Sequence, residues 1–448
     1  MRPILTGDNS TSTSLVASCS YQIAGRPSPL ANNNMVSMAS GSILDNFELT
    51  GVCSSDSSVT SAVQDTFIAY PGTSTGSGTD AFLTNVYIHG WTATTTAGQG
   101  SNNQPCTLVG GSPNGTQTFD HIVVDGADSN PGSCAWATFP GFDHFRDSVI
   151  RYTNQGVGQA CHDIHDNIFE HMYNHNSGAG SHTNVLECND DANPATANVF
   201  YNNILRHDDA SLIGSGQVHW WFCPESAPEY WFNNLQFDVA LTNNWDYAGP
   251  PIYGCTNTGG QYMFNNTLVD IVQPCNVSNV NHGGQYLTVL NEHLINTPFD
   301  TNTGTPCTGR SDSTNIAMSD ATATTQGYTT GSSGTAQTGN TCANDPTKPC
   351  TPIAASNGTV GAGANHQTYC TALAAYSSEQ AIGIDAASAC KYGTTDGCTY
   401  NTTNHTMTCP GQTPVARPAS GAWDSGAYEY AGGGGPPAPP SNLQAMPQ

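Results

Sequence analysis

The chain of 448 residues carries 9 Lys and Arg against 34 Asp and Glu, a formal net charge of -25, with only 10% of its residues charged. Such a field repels nucleic acid and anionic membrane surfaces and disfavours polyanionic substrates unless a bound cation intervenes. With 47 glycines, frequent Asn, Ser and Thr, and no apolar stretch approaching transmembrane length, the composition fits short strands joined by polar turns, and no helix of any length is expected.

In chain order, Met1 to Ser14 lacks the basic start and apolar run of a signal peptide, so export would need a leader already removed. From about Ser14 to Asp300 one pattern recurs. Its clearest copies are Tyr201-Asn202-Asn203-Ile204-Leu205, Phe232-Asn233-Asn234-Leu235 and Phe264-Asn265-Asn266-Thr267-Leu268, about 31 to 32 residues apart. Looser copies are Thr84-Asn85-Val86, Asp120-His121-Ile122, Asp147-Ser148-Val149, Asp166-Asn167-Ile168 and Leu290-Asn291-Glu292. Asn tolerates the left-handed backbone of a sharp corner, and its amide can both donate to and accept from an identical Asn one coil above. The aromatic before the pair and the aliphatics after it then lie on stacked strands, so each coil buries a face it cannot bury alone. Spacings of roughly 20 to 36 residues suit a solenoid with corners of unequal length better than a propeller of uniform blades. The reading is an all-β chain, a single-stranded right-handed parallel β-helix over 1–300, with a disulfide-stapled, loop-rich C-terminal region.

Within the coils, histidine concentrates at Cys161-His162-Asp163-Ile164-His165-Asp166 and at His171, His175 and His182. No pair has a recognised metal-ligand spacing, and the repeated Asp120-His121 and Asp143-His144 pairs read as hydrogen-bonded stacking along the solenoid rather than as a metal site. Arg146, Arg151 and Arg206 are fixed positive charges within the coils. Alignment of Val185-Leu186-Glu187-Cys188 with Trp220-Trp221-Phe222-Cys223 and Ile252-Tyr253-Gly254-Cys255 predicts three stacked strands. In that alignment Glu187, Trp220 and Phe222 share the outer face, with Asp190 and Asp191 just beyond the strand. Aromatic rings beside carboxylates suit a glycan cleft, so Glu187, Asp190 and Asp191 are the candidate catalytic residues and Trp220 and Phe222 the candidate sugar platforms. Cys188, Cys223 and Cys255 fall one rung apart, within disulfide reach.

Residues 301–430 become rich in Thr, Ser, Gly and Ala and hold seven of the sixteen cysteines, read as stapled loops packed on the last coils, ending in a strand over Gly421–Tyr430. An even cysteine count without zinc-finger or CxxC spacing indicates disulfides of an oxidising, extracellular or cell-surface setting. Residues 431–448 form a Gly/Pro linker and an extended tail in which Leu443 and Met446 are apolar, suited to shallow pockets on another copy of the chain. Asn114, Asn276 and Asn357 head Asn-x-Ser/Thr sequences.

The ending Trp423-Asp424-Ser425-Gly426-Ala427-Tyr428-Glu429, with the Asn-Asn corners, resembles the Asp-x-Gly-Ala-Tyr-Glu terminus of many bacterial secreted right-handed parallel β-helix proteins of the pectin-lyase-like group. That resemblance implies the fold over most of the chain and leaves activity open, because the group spans lyases, hydrolases, adhesins and proteins without chemistry. The expectation is therefore an extracellular structural or surface protein that associates with copies of itself through its tail and contacts polysaccharide. The alternative is a secreted polysaccharide hydrolase or lyase. No cofactor is called for, calcium on the Asp-rich loops being the exception a lyase would require. No nucleic acid partner and no membrane insertion are expected.

Overall fold

The computed structural model describes residues 2–6, 34–39, 41–50, 53–54, 66–69, 81–93, 107–110, 117–129, 136–138, 142–153, 155–158, 161–172, 183–188, 197–208, 218–222, 228–239, 260–269, 287–295, 297, 311–326, 355–376 and 382–431. Its strands form a parallel solenoid of three long sheets. The first has 11 strands, from Ile4–Thr6 to Ile316–Met318; the second has 10, from Ile43–Asp45 to Ser311–Ser313; the third has 7, from Asn34–Ser37 to Val218–Phe222. Each strand of the second sheet turns a corner directly into a strand of the first, and equivalent residues of successive coils pair in register. No helix among the described residues is long and apolar enough to cross a membrane.

The corners are the predicted Asn pairs, and the two residues of a pair do different work. The first takes the left-handed conformation: φ is 57° at Asn202, 59° at Asn233, 58° at Asn265 and 55° at Asn291. Asn85, His121, Asp147 and Asp166 occupy the same place, and Asn46 and Thr314 lengthen the column beyond the copies legible in sequence. The second residue turns inward and stacks. Asn203 Nδ2 donates to Asn234 Oδ1 at 3.1 Å and Asn234 Nδ2 to Asn266 Oδ1 at 3.0 Å, while the second N–H of each amide goes to a strand carbonyl, Ile164 O and Phe200 O respectively. Each Oδ1 also accepts the backbone N–H of the preceding ladder residue, so the amide groups of Asn203 and Asn234 are all used. Ser148 and Asn167 extend the ladder at one end, Glu292 and Asn315 at the other.

Alternation along the strands fills the interior. Leu83, Phe119, Phe145, Ile164, Phe200, Trp231, Met263 and Val289 form one buried column, facing Ile88, Val124, Ile150, Phe169, Leu205, Leu268 and Leu294. Aromatic rings stack at rung spacing, 4.7 Å for Phe200 with Trp231, which matches the strand separation set by the backbone hydrogen bonds.

The outward columns change character along the axis. On the second sheet, Arg146 and His165 give way to Tyr201, Phe232, Phe264 and Leu290; on the first, Asp125, Arg151, Glu170 and Arg206 give way to Phe237, Val269 and Ile295. The apolar half is covered by a lobe built from 355–376 and 382–431. Helices Gln367–Leu373 and Ile382–Ala389 lay Cys370, Leu373, Ala386 and Ala387 on the second-sheet aromatics, and Ala427 and Tyr428 cover the first-sheet aliphatics. These helices, together with Asp320–Thr325, correct the expectation of a helix-free chain. Their Ala, Thr and Ser content reads as loop in isolation, but small side chains let a helix backbone settle closely on flat rings. Cys370–Cys390 joins the two lobe helices and Cys398–Cys409 joins the ends of the hairpin Thr399–Asn401 and Thr406–Thr408; among the described residues no cysteine is free.

The Gly421–Tyr430 ending is not a strand: Trp423 makes a single bridge with Gly363, and the rest is irregular backbone. Its residues are fixed by the lobe's seat on the corner. Buried Arg417 donates to Glu429 Oε2 at 2.9 Å, to Asn233 Oδ1 at 2.9 Å and to Tyr392 O at 3.0 Å. Asp424 accepts the Gly361 and Tyr430 N–H groups, and Tyr428 donates its hydroxyl to Asp396 at 2.6 Å. Gly426, at φ +97°, lies where a Cβ would stand 2.7 Å from His293 Cβ. Three members of the outward Asn column read the lobe backbone: Asn233 donates to Tyr392 O, Asn265 to Asp424 O and Gly426 O, and Asn291 to Ala364 O.

Candidate functional site

Where the outward columns are still charged, the second sheet carries a histidine and carboxylate cluster at the edge of the lobe. Strands Phe142–Arg146 and Cys161–His165 place His144 opposite Asp163 and Arg146 opposite His165. His144 Nδ1 lies 2.8 Å from Asp163 Oδ2, both side chains being buried, and Asp163 Oδ1 is buried without a partner among the described residues. His165 Nδ1 lies 2.6 Å from Asp166 Oδ2, and its Nε2 faces Asp163 Oδ2 at 3.7 Å. Thr395 of the lobe donates to the other oxygen of Asp166. Burial works against a charged His165, yet Asp163 and Asp166 outweigh it and raise its ionisation to about 9, so the ring is an imidazolium at neutral pH. At the corner, burial and then the charge of Asp166 push Asp147 up to about 6. Asp120 with His121 and His165 with Asp166 bond within a coil, and His144 with Asp163 bonds between coils.

One member is arranged for more than stacking. A buried carboxylate on Nδ1 fixes the His144 tautomer and leaves Nε2 with no hydrogen-bond partner among the described residues. That geometry orients an imidazole as a base or a ligand. Sequence reading missed this distinction because the Asp143-His144 dipeptide draws attention to the wrong carboxylate; the partner lies one coil away.

On the first sheet a second ladder alternates in sign. Arg151 lies 3.4 Å from Asp125 and 3.1 Å from Glu170, and Arg206 lies 2.8 Å from Glu170. Burial would raise Glu170, but Arg206 and Arg151 hold it down at about 2. Arg146 pairs with Asp120 at 3.2 Å. Arg146, Arg151 and Arg206, which could neutralise an acidic sugar, are thus each engaged by the protein's own carboxylates. Farther along, His89 is bracketed by Asp128 at 2.7 Å and Glu48 at 3.2 Å, and its ring stacks on Tyr87.

The residues singled out in sequence are positioned differently from the alignment. Leu186 pairs with Trp220, Glu187 with Trp221 and Cys188 with Phe222, because the register shifts between Asn184 and Leu186. Trp220 therefore continues the register column of Ile68, Val109, Val157 and Leu186, whose side chains are buried, and Trp221 takes the position beside Glu187. A bulge of one residue exchanges the faces of everything beyond it, and no local signal announces it. Asp190, Asp191, Ile252, Tyr253, Gly254, Cys223, Cys255, Leu443 and Met446 lie outside the described residues, as do Asn114 and Asn276. Asn357 is buried and donates its amide to Gln326 O at 2.7 Å.

Compared with protein-family models, with curated proteins and with solved structures, the chain gives no match.

Proposed function

We propose that this chain is an extracellular structural protein, a single-stranded right-handed parallel β-helix used as a rigid rod that associates with copies of itself through residues 431–448. The observation that carries the reading is self-neutralisation. The outward charges of Arg146, Arg151, Arg206, Asp120, Asp125 and Glu170 are consumed in pairs between coils, and the apolar outer faces are consumed by the lobe. Such a surface is built for persistence of shape. Disulfides in the lobe fit an oxidising setting, and the resemblance of the Asp-x-Gly-Ala-Tyr-Glu ending to secreted β-helix proteins agrees with it. Deleting Gly432 to Gln448 is expected to leave the sheets intact and to lower the mass of the assembly measured by light scattering at matched concentration. Identical monomers before and after deletion refute the association.

The alternative, a polysaccharide-active enzyme, is favoured by one observation, the His144 and Asp163 pair in which Nε2 has no hydrogen-bond partner among the described residues. It predicts that a panel of neutral and acidic polysaccharides contains one from which the chain releases reducing or unsaturated ends, and that His144→Ala abolishes the release.

A further inference from the structure

The corner beneath the lobe hairpin brings a disulfide and a carboxylate together. Cys398 and Cys409 are bonded to each other, and both sulfurs lie within 4.8 Å of the Asp147 carboxylate. Asp120 is engaged by His121 and Arg146, and Asp166 by His165 and Thr395, whereas no hydrogen bond among the described residues reaches the Asp147 carboxylate. Cys398 Sγ lies 3.2 Å from Asp166 O and Cys409 Sγ 3.7 Å from Asp147 O, and neither carbonyl accepts a backbone N–H among the described residues. Two thiols in these places would donate to those carbonyls, so one seat fits the pair both as a disulfide and as a dithiol. The hairpin is also held without the S–S bond. Tyr400 and Met407 pack with Val149 and Ile168, Tyr400 donates to Asp125 at 2.9 Å, and His405 stacks on Tyr87 at 4.6 Å. Cys398 is buried and Cys409 half-buried, so a thiol from solvent reaches Cys409 first. Both members of the other described disulfide, Cys370 and Cys390, are buried.

We propose that Cys398, Cys409 and Asp147 form a thiol–disulfide exchange centre whose substrates are small uncharged dithiols and disulfides. A formal net charge of -25 disfavours anionic thiols. In the opening direction one thiolate of the dithiol attacks Cys409 Sγ, the S–S bond breaks, and Cys398 leaves with the electron pair and takes up a proton. The second thiolate of the substrate then attacks the substrate sulfur of the mixed disulfide, which closes the substrate's own disulfide and releases Cys409 as a thiol. Two electrons and two protons pass from the dithiol to the pair, and the reverse sequence reduces a disulfide. Asp147 supplies the proton to Cys398 and takes it back on closing, directly or through one water. Its carboxyl suits that exchange. Burial and then Asp166 push it up to about 6, with Asp120 adding to the rise and His165 and His121 opposing it.

The test opens the full oxidised chain with dithiothreitol under native conditions, quenches with iodoacetamide and maps each cysteine by peptide mass spectrometry. Cys398–Cys409 is expected to open about a hundredfold faster than Cys370–Cys390, to keep the β-sheet circular dichroism signal, and to close again on addition of hydroxyethyl disulfide. The rate per dithiothreitol thiolate should fall as pH rises through about 6, where Asp147 loses its proton. Asp147→Asn should flatten that profile and slow opening about tenfold. In Cys398→Ser the remaining Cys409 thiol should hold hydroxyethyl disulfide as a stable mixed disulfide. Equal opening rates for the two disulfides overturn the proposal, and so does loss of the β-sheet signal on opening. A pH profile that is flat in the wild type, or unchanged in Asp147→Asn, also overturns it. The comparison of the two disulfides and the wild-type profile use the unmutated chain, so both stand if a variant does not fold.

Discussion

Glu292 interrupts the Asn ladder with a carboxyl group, and the consequence is a dependence of stability on pH that one substitution should erase. Its Oε1 accepts the Asn266 amide at 2.9 Å, but Oε2 is buried with no partner among the described residues. The other ladder amides donate to Phe145, Ile164, Phe200, Trp231 and Val289, and Met263 fills the missing place in that carbonyl column. Burial raises the ionisation of Glu292 from 4.5 to about 8. The folded state therefore keeps a proton that the unfolded state has lost anywhere between those values. In that window the folded chain binds more protons, so stability falls as pH rises, by about 1.4 kcal/mol per pH unit. The loss reaches about 3 kcal/mol at pH 7 and about 5 kcal/mol by pH 8, then levels off. Glu292→Gln removes the ionisation and supplies the missing donor. Urea unfolding of the oxidised protein, followed by circular dichroism across this window, should show the wild type weakening with rising pH while the difference between wild type and variant widens in favour of Gln. Parallel profiles for the two proteins would refute the reasoning, because they would mean that Glu292 ionises in the folded state as it does in the unfolded one.

The division of labour in the Asn pair separates two neighbouring substitutions. Asn234→Ala deletes four buried hydrogen bonds and should destabilise the sheets by roughly 3 to 5 kcal/mol. Asn233→Ala should instead raise hydrogen exchange in the lobe around Tyr392 and Arg417 while leaving the strands protected. Gly426→Ala forces a Cβ onto His293 in a left-handed backbone and should cost about 2 to 4 kcal/mol, read as early release of 421–430 to proteolysis. Arg417→Met removes the buried partner of Glu429 and should cost about 3 to 5 kcal/mol; a lobe that stays docked with unchanged exchange rates would show that its apolar contacts alone suffice.

The corners and the core were legible because both are local. An Asn pair between an aromatic and an aliphatic states a left-handed turn and a stacking amide within five residues, and the strand period of two assigns the buried column without knowledge of the neighbouring coil. The candidate site was less legible. Its aromatic column depended on an alignment between coils, and the one-residue shift between Asn184 and Leu186 carries no mark in either strand. His144 was visible, but its carboxylate, Asp163, is contributed by the next coil.

The repeat, the left-handed corners and the stacking of Asn amides could be read from sequence, since each follows from what a residue can do with its own backbone or with an identical copy one rung away. Tertiary structure alone shows which outward columns are covered, how Asp424, Tyr428 and Glu429 are held by Gly361, Asp396 and Arg417, and that Asp147 meets Cys398 and Cys409. Those facts depend on where a non-repeating lobe folds back along the solenoid. Its seat is set by complementarity between segments far apart in sequence, 73 residues for Asn291 with Ala364 and 159 for Asn233 with Tyr392, and such complementarity has no periodicity to read.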